Sequence, residues 1–139
     1  MPPDQLDNLV RTGKLKAEPP SQAELDGLIR SGAVRLKDAE NPTLSLESRF
    51  DLAYNAAHAL ALAALRAQGY RSESRYLVFQ CLQHTVGLSA AQWRVLDRAH
   101  SRRNRAEYEG DAEIDESLVD AVIRVVREIQ TRLAAASSR

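Results

Sequence analysis

The stretch FDLAYNAAHALALAALRAQGY, residues 50–70, decides the fold. Phe50, Ala53, Tyr54, Ala57, Ala61, Ala64 and Leu65 recur at helical spacing and form one apolar stripe, while Leu52, Ala56, Ala59 and Leu62 form a second. A helix that is apolar on two sides has to be covered on two sides, which makes this the central helix of a bundle. Asp51, Asn55, His58 and Arg66 interrupt the window and Arg49 flanks it, so it does not read as a membrane span. Asn41-Pro42 breaks the chain ahead of it, Ser45 is placed to cap its start, and Gly69 to close its end.

Working outward, Ser21 followed by Glu24 is a capping-box pattern, and Leu25, Leu28, Ile29, Ala33 and Leu36 follow on one face of a helix over 22–39. Downstream, SESRYLVFQCLQHTVG from Ser72 to Gly87 reads as one shorter helix carrying Leu77, Val78, Cys81, Leu82 and Val86. Ser89 and Gln92 repeat the capping box and open a helix through Trp93 and Leu96 that Gly110 interrupts. The last helix, over 113–135, carries Ile114, Leu118, Val122, Val125, Ile129 and Leu133, with Val119, Ile123 and Val126 widening a face that needs a partner from its own chain or a second one. Ahead of the bundle, residues 4–12 make a short amphipathic helix that Gly13 ends, and Pro19-Pro20 separates it from the helix over 22–39. No segment alternates with the period of a strand. The expectation is all-α: an antiparallel helical bundle of roughly four to five main helices over 21–135, a short N-terminal helical arm over 1–20 and a frayed tail over 136–139.

Composition agrees with a single domain: 139 residues, 44% hydrophobic but only 5% aromatic, so the core is built from Ala, Leu, Val and Ile. Nineteen basic and nineteen acidic residues cancel, which excludes the global basic excess of a general nucleic-acid binder and leaves only a local site. Cys81 is the single cysteine, so there is neither an intrachain disulfide nor a multi-cysteine zinc site, and a reducing cytoplasm is the expected setting. The N-terminal MPPDQLDNLV has no signal-peptide pattern. No Gly-rich phosphate loop, nucleophile elbow or metal-ligand spacing is present, and no cofactor or metal is expected.

The polar exception is HSRRNRAEYEG, residues 100–110. On a continuous helix the inward stripe of Trp93 and Leu96 runs on to His100, Arg103, Asn104, Glu107 and Tyr108, where polar groups must be paired, hydrated or used. Arg102 and Arg105 fall to the sides, where a charge run balanced by nearby acidic residues is usually a solvated face. His58 and His84 read as core or edge histidines, and Tyr54 and Trp93 as core anchors.

With FDLAYNAAHALALAALRAQGY, this stretch resembles the HEPN domains, helical bundles widespread in bacterial toxin-antitoxin and defence systems. The family signature is an Arg, usually followed by Asn, in an Arg-x4-6-His pattern. Arg103 and Asn104 match it, and Tyr108 stands where the histidine falls at the shortest spacing. The resemblance implies a homodimer whose two motifs form a cleft, with Arg103 as the phosphate contact, Asn104 orienting it, and Tyr108 and His100 lining the cleft beside Arg102, Arg105 and Glu107. A tyrosine, with a pKa of about 10, is a poor general base at neutral pH, so binding of RNA or a nucleotide phosphate is the leading expectation. The alternatives are a metal-independent endoribonuclease toxin, with His100 or Tyr108 moving the proton, and a non-catalytic dimerisation module. An antitoxin or a nucleotidyltransferase is the kind of partner protein implied, and no membrane.

Overall fold

The computed structural model describes residues 4–109 and 114–137, with side chains over 5–105 and 114–136. It is an all-α bundle. A short helix α1 (Asp4–Arg11) precedes α2 (Gln22–Ala39), the central α3 (Leu46–Ala67), two short helices α4 (Arg75–Gln80) and α5 (Leu82–Thr85), and then α6 (Ala90–Glu109) and α7 (Glu116–Ser137). Two-residue strands β1 (Lys16–Ala17) and β2 (Tyr70–Arg71) pair antiparallel, Lys16 opposite Arg71 and Ala17 opposite Tyr70. No helix of the described residues is long and apolar enough to cross a membrane.

Helix α3 has the position its two stripes require. It contacts α2, α4, α5, α6 and α7, and from Phe50 to Arg66 twelve of its residues are buried, seven of them alanines. Alanine takes little space, so neighbouring helices close in on several sides at once. The wide apolar face of α7 finds its partners within the chain: Val119, Val122, Val126 and Ile129 are fully buried, and α7 packs on α3, α6 and α2. Cys81 is buried, and burial pushes its thiol up to about 11, the behaviour of a small core hydrophobe.

Local capping follows the sequence closely at both ends of α3 and at the start of α6. Ser45 Oγ accepts from the Ser48 N–H (3.1 Å), Ser89 and Gln92 complete a reciprocal capping box (3.1 and 3.0 Å), and Gly69 turns at φ +90° to end α3. At α2 only half of the box forms: Ser21 Oγ accepts from the Glu24 N–H, but the Glu24 carboxylate turns away to Arg66 and Arg71. The single helix expected over Ser72–Gly87 is divided at Cys81 into α4 and α5, the first capped by Ser74. Helix α7 starts at Glu116, where Asp115 Oδ1 accepts from the Leu118 N–H (2.8 Å), and extends to Ser137. Gly110 lies outside the described residues.

The N-terminal arm is part of the core. Leu6 and Leu15 are buried, and the β1–β2 pair holds the arm against the end of α3. Helices α2 and α3 approach closely at Gly32, where a Cβ would stand 2.5 Å from Leu60 Cδ2, and Leu60 is itself completely buried. Gly27, in the same helix, has open space at that position. Gly27→Ala is therefore expected to raise the unfolding free energy by about 0.5–1 kcal/mol through helix propensity, and Gly32→Ala to lower it by about 1–3 kcal/mol through overpacking. Urea denaturation of the two variants checks this; equal gains would show that α2 and α3 yield freely at Leu60.

Candidate functional site

The inward stripe of α6 turns polar where the sequence places the change. Leu96 and Ala99 are buried, and His100, Arg103 and Asn104 follow half-buried against α3 and α4. What they meet is a buried tyrosine. His100 Nδ1 is 3.0 Å from Tyr54 Oη, and Asn104 Nδ2 is 3.3 Å from His100 Nε2. The Arg103 guanidinium carbon lies 5.0 Å from the centroid of the Tyr54 ring, and that of Arg75, from the first turn of α4, lies 5.5 Å from the same ring. Arg75 Nη1 donates to Asn55 Oδ1 (3.1 Å), a neutral acceptor. Two cations from two helices thus converge on one aromatic ring, each attracted by it.

The histidines and the tyrosine around them are kept neutral. Burial, with Arg75 and Arg103 adding to it, pushes His58 down to about 4. His100 is lowered chiefly by burial, against the pull of Asp97. Tyr54 is raised by burial, against Arg75 and Arg103, and keeps its proton. The His100 ring thus lies between Tyr54 and Asn104, with one ring nitrogen within hydrogen-bond distance of each. Both ring nitrogens are engaged inside the protein. The positive charge of the cluster resides on the two arginines, whose planar forks suit phosphate and carboxylate oxygens.

The structure divides the arginine run between two faces of α6. Arg103, with His100 and Asn104, points to Tyr54; Arg102 and Arg105, with Arg98 and Ser101, line a cavity of about 200 Å³ bounded by Asp115, Ser117 and Leu118 at the start of α7. Arg102 and Arg98 there help the Leu118 N–H and the Ser117 hydroxyl hold the Asp115 carboxyl below its usual range. Arg102 and Arg105 are therefore not brought to the Arg103 cluster. Glu107 and Tyr108 continue the α6 backbone, but their side chains lie outside the described residues.

Sequence reading missed Arg75, Asn55 and the second role of Tyr54. A signal for part of it exists: Asn55 and His58 are polar positions in an otherwise apolar helix, and Tyr54 and His58 are one turn apart. Nothing local marks Arg75. No group of three His, Cys, Asp or Glu side chains among the described residues is placed to hold a metal ion. Comparison with known proteins finds no family model, no curated protein and no solved structure that matches this chain.

Proposed function

We propose that the chain is a HEPN-like bundle that binds RNA or a nucleotide phosphate at the Arg75–Arg103 cluster, as a homodimer in the cytoplasm of a bacterium and in a toxin-antitoxin or defence setting. The observation that carries this reading is the convergence of two guanidinium groups over buried Tyr54, between histidines that burial keeps uncharged. The low-dielectric floor under the two guanidinium groups strengthens a contact that an anion makes to either of them. Engagement of both His100 nitrogens supports binding over proton transfer by that residue. The HEPN resemblance adds the dimer, and with it a second copy of the cluster across a two-fold axis.

The test is RNA binding as a function of salt. Arg103→Ala and Arg75→Ala are each expected to weaken affinity by about tenfold and to reduce the slope of log affinity against log salt by about 1, with the RNA recovered intact from every mixture. Unchanged affinity and slope in the Arg103→Ala variant would refute the phosphate reading, and cleavage in EDTA that depends on His100 would replace it with a nuclease.

A further inference from the structure

Immediately after Arg75 stands Tyr76, 42% exposed, one of two large hydrophobic side chains exposed among the described residues. Its ring is held rather than loose: it meets Trp93 edge-on (centroids 5.5 Å, planes at 72°) and lies tilted against His100 (5.9 Å, 52°). Helix α4 therefore presents, in adjacent residues, a guanidinium on the Tyr54 cluster and a braced aromatic ring at its rim. A braced ring loses little freedom when a flat partner stacks on it, which is what makes an aromatic side chain an effective platform.

We infer that Tyr76 is a base-stacking platform and that the site takes single-stranded nucleic acid, with a phosphate on Arg75 and Arg103 and the base of a neighbouring nucleotide against the exposed face of Tyr76. The inference rests on the phosphate reading of the cluster and narrows it, because a base within a duplex is already stacked and paired and cannot be offered to the ring. Every base has a π-face, so the stacking contact discriminates strandedness more than sequence.

The experiment compares three probes: a short single-stranded oligoadenylate, the same strand annealed to oligouridylate, and inorganic pyrophosphate. The wild-type chain is expected to prefer the single strand to the duplex. Tyr76→Ala is expected to weaken single-strand binding by about 5- to 100-fold while leaving pyrophosphate affinity and the salt slope unchanged, and Tyr76→Phe to retain wild-type behaviour. Trp93 is the only tryptophan in the chain, so its emission reports on the ring directly; quenching is expected with the single strand and not with pyrophosphate. Wild-type single-strand affinity in Tyr76→Ala, with loss in Arg103→Ala, overturns the platform and leaves the phosphate reading standing. Dissociation of a dimer by Tyr76→Ala at unchanged RNA affinity also overturns it, by making the ring an interface contact. Indifference to Arg103→Ala, or no binding by the wild type, removes both.

Discussion

Replacing Glu18 and Glu24 together by glutamine is expected to lower the unfolding free energy by about 3–5 kcal/mol, more than replacing Arg66 itself by methionine. Arg66 is the buried charge of the described residues, 1% exposed at the end of α3. Its Nε donates to Glu24 Oε1 (2.9 Å), its Nη2 pairs with Glu18 Oε2 (3.3 Å), and further N–H groups donate to the backbone carbonyls of Glu18, Pro19 and Tyr70. Arg71 closes the network by pairing with both carboxylates. Both glutamates reach solvent and Arg66 does not, so removing the carboxylates leaves a guanidinium charge stranded in the core, whereas removing Arg66 leaves groups that water or Arg71 can satisfy. Methionine keeps most of the stem, and its cost is the lost hydrogen bonds, about 1–2 kcal/mol. Urea denaturation orders the variants, and a methionine variant less stable than the double glutamine variant would show that the stranded charge is not the controlling quantity. The network also ties β1 and the arm to α3, so trypsin is expected to cut at Lys14 and Lys16 faster in the double variant. The Glu24 carboxyl is held below its usual range by its hydrogen bonds to Arg66 and Arg71. That contribution is present above the unfolded carboxyl value of 4.5 and is lost as pH falls through the lower folded value.

Acidification is expected to cost the fold roughly 3 kcal/mol through His58 alone. In the unfolded chain this histidine takes a proton near 6.5; in the folded chain burial first, and then Arg75 and Arg103, hold it off until about 4. Between those values the unfolded state binds the extra proton, so stability is full above 6.5 and falls as pH drops toward 4. His100, lowered mainly by burial, acts in the same direction. His58→Leu removes the first of these groups while still filling the space beside Phe79, whose ring the histidine meets edge-on at 6.0 Å. The variant is expected to lose about one proton from the pH dependence of unfolding below pH 6.5. Superimposable profiles for wild type and variant would mean that His58 is hydrated and ordinary.

Elements specified by residues close in sequence were legible from the chain. The limits of α2, the caps at Ser45 and Ser89, the turn at Gly69 and the two-sided face of α3 each depend on side chains within a turn or two of one another. The change from apolar to polar at His100, Arg103 and Asn104 was legible for the same reason, because helical periodicity states which face turns inward. Periodicity does not state what stands opposite. The break at Cys81 was missed because six- and four-residue helices are too short to show a period of their own.

The sequence by itself determined an all-α bundle, its central helix and one polar stripe on α6. Only the tertiary structure decided that Arg103 and Arg75 share the ring of Tyr54, that Tyr54 reaches His100 across 46 residues of chain, and that Arg66, an interruption in an apolar run, is a buried tie to Glu18 and Glu24, the latter 42 residues away. The physical reason is the range of the interactions. Caps and turns are settled by hydrogen bonds between near neighbours in sequence, whereas the charge state and partners of a buried polar group are set by whichever side chains packing brings against it.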